Sequence, residues 1–219
     1  TVAGWSDSTP PEPNRQLRRD LCSVSLKRPQ LHDAFEADFS RMLAENQSRE
    51  ELNRAYYRHF VGVEPQLLNS AGAEWATARL LRPDKFFVAP VVEELRRLQG
   101  RGVAAVFVSG SFYALLEPIA RSLGVCHILA TKLRVSMDGL YTGDIVPPQT
   151  IGTGKATAVQ EFLRHHGASP DGCYAFGDDL SDLPMLNVVG YPVAVGTGTD
   201  LAKRAAAFHW PVIATSAVS

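Results

Sequence analysis

Cysteine is scarce in this chain of 219 residues: Cys22, Cys126 and Cys173 lie far apart and match no CxxC metal spacing. Neither a zinc knuckle nor a disulfide framework therefore organises the fold. The three thiols are expected to be small buried hydrophobes in a reducing, cytoplasmic setting. Long apolar runs are missing as well. No segment approaches the length of a membrane span, and residues 1–16 (TVAGWSDSTPPEPNRQ) lack the apolar stretch of a signal peptide, so no membrane partner is expected. Nor is there an excess of either charge. Lys and Arg total 22 against 23 Asp and Glu, a formal net charge of −1. Without a basic cluster interleaved with aromatics, a nucleic-acid partner has no electrostatic footprint. What remains is ordinary globular material, 45% hydrophobic and 21% charged, enough for a sizeable core. The length suits one α/β domain with a smaller insert, and the composition leaves a homodimer open.

Along the chain, residues 1–16 are polar and proline-rich and read as a flexible leader. In 17–29, Leu21, Ser23 and Ser25 alternate with Cys22, Val24 and Leu26, the pattern of one half-polar strand. From Leu31 the period turns helical, with Phe35, Phe39, Met42 and Leu43 at three- and four-residue steps. Ser48 followed by Glu51 is a capping box that opens a second helix. A third is predicted from about Pro65 to Leu81. Three helices with no strand between them make residues 30–84 a small helical module inserted between 17–29 and 85–219.

After Pro83 strands and helices alternate. The pattern predicts helix Val91–Gln99, strand Val103–Val108, helix Tyr113–Leu123, strand Cys126–Ala130 and a hairpin turning on Met137-Asp138-Gly139. Helix Lys155–His166, strand Cys173–Phe176, a helix from about Asp182, strand Pro192–Val195, helix Asp200–Ala207 and a short strand near Pro211–Ile213 follow. Continuous apolar strands between amphipathic helices predict a parallel sheet covered on both faces. Ligands of such sheets bind beyond the carboxyl ends of the strands.

Three strand ends there carry polar groups. Ser109-Gly110-Ser111 follows VAAVFV and precedes a helix, which places hydroxyls and free N–H groups where phosphate binds; Ser and Gly also suit any strand-to-helix turn. Gly177-Asp178-Asp179-Leu180-Ser181-Asp182 follows CYAF, and carboxylates this close repel unless a cation or base holds them. Oxygen ligands of this kind suit Mg²⁺, with Asp178 and Asp179 as candidates; capping of the next helix by Asp182 is the plainer alternative. Lys155 opens a helix after Gly152-Thr153-Gly154, against the helix dipole, and makes sense facing an anion.

The stretches VFVSGSFYALLEPIARSLG, LRVSMDGLYTG, Lys155, YAFGDDLSDLPML and YPVAVG together resemble a phosphoserine-phosphatase-type member of the haloacid dehalogenase superfamily, specifically over about residues 86–212. Residues 31–84 more loosely resemble that subgroup's helical cap, inserted after the first strand. The resemblance implies a Rossmann-like core under a lid and a phosphorylated small molecule as substrate or ligand. In that role Ser109 would hydrogen-bond the phosphoryl group, with Gly110 and Ser111 beside it, and Lys155 would neutralise it. Asp178 would hold Mg²⁺, and Asp182 would position Lys155 or lie behind the metal.

One part of the pattern is missing. The family's DxDxT loop supplies a nucleophilic, metal-binding Asp and an Asp that acts as general acid, yet no DxD precedes the helical module. By order and spacing Ser23 and Ser25 of Leu21-Cys22-Ser23-Val24-Ser25-Leu26 stand in those places; Asp7 has no apolar run before it and Asp20 lies three residues early. Serine is a poor nucleophile without an activating base, and loss of general acid catalysis costs about 10²–10⁴-fold. His165 and His166 fall in the last turn of a helix, where the dipole favours a cation and no catalysis is required. The sequence thus leaves three readings: an enzyme with rerouted phosphoryl chemistry, a pseudophosphatase that binds without turnover, and a cleft recruited for a non-hydrolytic reaction. Tyr56, Tyr57, Phe60 and Trp75 could line the pocket or form core, and Arg54, Arg58, Arg79 and Arg82 could meet an anion or water.

Overall fold

The computed structural model describes residues 29–215, with side chains from Ala37 onward. The leader and the strand expected in 17–29, with Ser23, Ser25 and Cys22, lie outside the described residues.

Helices α1 (Pro29–Ala44), α2 (Arg49–Arg58) and α3 (Pro65–Leu80) come first, followed by the single turn α4 (Pro83–Phe86) and by α5 (Ala89–Gln99). The entry to α2 is the capping box read from sequence. Ser48 Oγ accepts the Glu51 N–H at 3.3 Å while Glu51 Oε2 accepts the Ser48 N–H at 2.9 Å, which satisfies two donors the helix leaves open. Proline in the first turn of α3 and α5 costs nothing, because no hydrogen bond is lost there.

The α/β part follows. Strand β1 (Val106–Ser109) pairs parallel with β2 (His127–Ala130), joined by α6 (Tyr113–Ser122). A hairpin of β3 (Lys132–Val135) and β4 (Tyr141–Val146) turns through Gly139 at φ +79, a conformation glycine adopts without strain. Helix α7 (Thr153–His165) leads to β5 (Tyr174–Gly177), α8 (Leu183–Leu186), β6 (Tyr191–Val195), α9 (Asp200–Ala207) and β7 (Val212–Ile213); β5, β6 and β7 are neighbours in that order and all parallel.

Alternation along β1 shows that helices cover both faces. Phe107 joins a cluster with Leu95 of α5 and Leu115, Leu116 and Ile119 of α6, whereas Val108 packs with Met185 and Leu186 of α8 and Leu201 of α9. The first cluster also takes in Tyr57, Phe60, Leu68 and Trp75, so the helical layer is seated on the same core as Phe107 of β1 and Val195 of β6. Burial of a side chain such as Leu68, which is fully buried, is worth about 1.5–3 kcal/mol. Among the described residues no helix is long and apolar enough to cross a membrane.

Two elements differ from expectation. The strand predicted over 103–108 begins at Val106, opposite His127, because the Val103 N–H is used on Leu98 O to close the end of α5. The helix expected from Asp182 is one 3₁₀ turn (Leu180–Asp182) followed by one α turn, since the chain must return to Tyr191 to pair with Tyr174. The thiols differ also: Cys126 is exposed and Cys173 half-buried, contrary to the expectation of buried hydrophobes.

Candidate functional site

Ser109 ends β1, and Gly110 and Ser111 carry the chain to α6, as the sequence placed them. The Ser109 hydroxyl oxygen accepts the Ser111 N–H at 3.1 Å, so the turn folds back on its own serine. Ile151 presses on Gly110 closely enough that a β-carbon there would lie 2.6 Å from Ile151 Cγ1. That contact brings the segment leading into α7 against the serine turn.

Lys155 occupies the first turn of α7 and is buried, 7% exposed. Its ammonium pairs with Oδ1 of Asp182, itself 1% exposed. The other oxygen of Asp182 accepts the Asp178 N–H at 3.1 Å. Asp182 therefore does not cap α8, although it stands at the cap position: its carboxylate spans Lys155 and the start of the acidic turn. Gly177 makes the approach possible, because a β-carbon there would meet Asp182 Cβ at 2.6 Å. Burial works against the charge on Asp182, but the Lys155 ammonium, by charge and hydrogen bond, holds its carboxyl below the usual range.

Asp178 is in the opposite state. Burial, and then the neighbouring Asp182 carboxylate, push its pKa up to about 7, with Lys155 opposing. Its Oδ2 is buried and has no hydrogen-bond partner among the described residues. A buried carboxylate oxygen of this kind, next to a second carboxylate, calls for a proton or a hard cation, and its chemistry fits Mg²⁺. Asp179 Oδ1 accepts the Ser181 N–H at 2.9 Å and so shapes its own turn.

Of the other sequence candidates, Tyr57, Phe60 and Trp75 are core. Arg79 lies over the Trp75 ring at 5.2 Å, Arg54 donates to Gln149, and Arg58 and Arg82 are exposed. His165 and His166 are exposed at the end of α7, where the His166 ring nitrogen meets Phe162 O. Sequence reasoning missed a polar network from α2 to the serine turn. Tyr57 Oη and Asn53 Nδ2 both donate to Gly110 O, at 2.7 and 3.2 Å, and Asn53 Oδ1 accepts from Gln149. The i, i+4 spacing of Asn53 and Tyr57 was the available signal.

A parallel α/β core beneath a helical layer, with serines after β1, aspartates after β5 and a buried lysine at the start of α7, defines a capped protein of the Rossmann-like α/β class. The chain belongs to the haloacid dehalogenase-like hydrolase family, whose model matches residues 13–187. A probable phosphatase of Mycobacterium tuberculosis is 37% identical over 137 residues, 63% of this chain and 46% of that protein. A phosphoserine phosphatase of the same organism is 35% identical over 105 residues, 48% and 34% of the two chains. The chain thus matches less than half the length of these relatives. A protein of unknown function from Bordetella pertussis Tohama I superposes with a TM-score of 0.74 over 91% of this chain and 89% of its own, at 24% identity. A substrate-bound phosphoserine phosphatase gives 0.57 over 87% and 83%, at 18% identity. At such identities the likeness concerns the fold.

Proposed function

We propose that this chain holds the phosphoryl group of a small phosphorylated molecule beyond the ends of β1 and β5, and that aspartyl-nucleophile hydrolysis is lost or altered in it. The observation that carries the reading is the buried Lys155–Asp182 pair with Asp178 attached to it through Asp182 Oδ2. A buried lysine near a helix start, oriented by its carboxylate partner, offers a positioned donor to an anion. Ser109 supplies its hydroxyl to the phosphoryl oxygens, its Oγ held by the Ser111 N–H with Gly110 between them. Asp178 would hold Mg²⁺ with Asp179 beside it, and the cation would neutralise charge on the phosphoryl group. The relatives named as phosphatases support the substrate class.

The altered chemistry rests on Ser23 and Ser25, which stand where the family's two carboxylates belong. The same residues favour a second reading, binding without turnover. The test is phosphate release from a panel of phosphorylated metabolites with Mg²⁺, for the parent and for Ser23→Asp/Ser25→Asp. Turnover by the double variant alone supports the reading. Release by the parent at ordinary family rates would show that hydrolysis is intact and sink the second half of the proposal. Conversion without phosphate release would assign the cleft to non-hydrolytic chemistry.

A further inference from the structure

Two side chains of α2 converge on a single backbone oxygen of the serine turn. Tyr57 Oη reaches Gly110 O at 2.7 Å and Asn53 Nδ2 reaches it at 3.2 Å. A peptide unit is planar, so its C=O and the following N–H point in opposite directions. Fixing Gly110 O therefore fixes the Ser111 N–H, and that N–H meets Ser109 Oγ at 3.1 Å. The contact from the helical layer thus ends on the hydroxyl assigned to the phosphoryl group.

Both donors are themselves held. The Tyr57 side chain is fully buried and its ring packs edge-on against Tyr56. Burial pushes its phenol well above the ordinary value, so the hydroxyl keeps its proton and donates. Asn53 Oδ1 accepts from Gln149 Nε2 at 3.0 Å; the same nitrogen donates to Glu50 O at 2.9 Å, and Gln149 Oε1 accepts from Arg54 at 2.7 Å. Gln149 lies against the start of α7: a β-carbon on Gly154 would fall 1.7 Å from Gln149 O. Asn53 accordingly ties the turn of Ser109 to the segment that delivers Lys155.

We infer that Tyr57 and Asn53 are positioning residues of the phosphoryl site, acting through the Gly110 peptide, so that the site is formed only while α2 is seated on it. The inference rests on the phosphoryl reading of Ser109 above. If the helical layer lifts, Gly110 O loses both donors and the Ser111 N–H is free to turn away from Ser109.

The test is calorimetric titration of inorganic phosphate in the presence of Mg²⁺, using the full chain, Tyr57→Phe, Asn53→Ala, Ser109→Ala and the double variant Tyr57→Phe/Ser109→Ala. Tyr57→Phe removes one hydroxyl and keeps the ring, and should raise the Kd about tenfold, the effect of one buried hydrogen bond. Asn53→Ala should weaken binding in the same direction. In the Ser109→Ala background the effect of Tyr57→Phe should shrink to about twofold or less, because groups acting through a shared partner are not additive. A merely structural role would give equal losses in both backgrounds, and that result overturns the inference. So does an unchanged Kd in Tyr57→Phe and Asn53→Ala when Ser109→Ala weakens binding. If the parent binds no phosphate, or Ser109→Ala binds as the parent does, the phosphoryl reading fails and the inference falls with it.

Discussion

Lys155 and Asp182 form an ion pair inside the protein, 27 residues apart in sequence, and the second oxygen of Asp182 is held by the Asp178 N–H. A pair this deeply buried gives little net stability over apolar packing, because both charges lose their hydration. Its use is local. It fixes an ammonium at the start of α7 and orients the acidic turn that follows β5.

Breaking the pair on one side leaves an uncompensated buried charge. Lys155→Met should destabilise the fold by about 3–5 kcal/mol, and Asp182→Asn should do likewise. The joint Lys155→Met/Asp182→Asn variant should lose less than the two single losses combined, since neither charge is left alone. Urea unfolding of the three variants measures this; full additivity would mean that the pair is not coupled. The pH dependence has a definite sign. The Asp182 carboxyl is held below its ordinary range, so its contribution is present above the unfolded value, about 3.9, and is lost as pH falls through the folded value.

Much of this site was legible before the structure. Ser109, Asp178 and Asp182 are polar groups just beyond apolar strands, and Lys155 is a cation at a helix start; each position has few structural uses. The capping box at Ser48 was legible for the same reason, because its chemistry is local. What the sequence hides is tertiary. The Tyr57 hydroxyl binds a backbone oxygen 53 residues away, and nothing near Tyr57 marks it apart from other aromatics with helical spacing. The early end of the helix after Asp182 is set by β6 having to begin opposite Tyr174. Leu43, placed on the apolar face of α1 by its period, is 41% exposed.

Gly72 marks where α3 meets α6. A β-carbon there would lie 2.5 Å from Phe112 Cε2 and 3.2 Å from the Leu115 backbone nitrogen. Alanine in a helix interior gains about 1 kcal/mol over glycine, while overpacking a tight core costs about 1–3 kcal/mol. With Phe112 itself buried and unable to yield into solvent, the clash should prevail. Gly72→Ala is expected to lower the Tm; a raised Tm would show that the interface has slack.

Ser48 gives a cleaner case, since its role is confined to one helix end. Ser48→Ala removes the acceptor for the Glu51 N–H and should cost about 1 kcal/mol. Ser48→Thr preserves the hydroxyl, which both accepts the Glu51 N–H and donates to Glu51 Oε2, and should recover most of the loss. Denaturant titration separates these outcomes, and a loss in Ser48→Thr equal to that in Ser48→Ala would deny the cap its role.

Asp178 offers the most informative prediction, because its proton and a metal ion compete for one carboxylate. Its folded pKa is pushed up to about 7, by burial first and by Asp182 second. A raised folded value means that the protonated form favours folding. That contribution is present below the unfolded value, about 3.9, and is lost as pH rises through about 7. The metal-free protein should therefore lose stability across this interval. A cation on the Asp178 carboxylate reverses the balance, since it binds only the ionised group. Addition of Mg²⁺ should raise the Tm little at pH 5 and clearly at pH 8, where the added stability approaches about 2.7 kcal/mol at roughly a hundred times Kd. Asp178→Asn should flatten both the pH dependence and the response to Mg²⁺. Thermal unfolding at the two pH values, with and without the ion, decides the matter. A response to Mg²⁺ that survives Asp178→Asn unchanged would place the cation elsewhere, and a parent that shows none at pH 8 would remove the metal from the site.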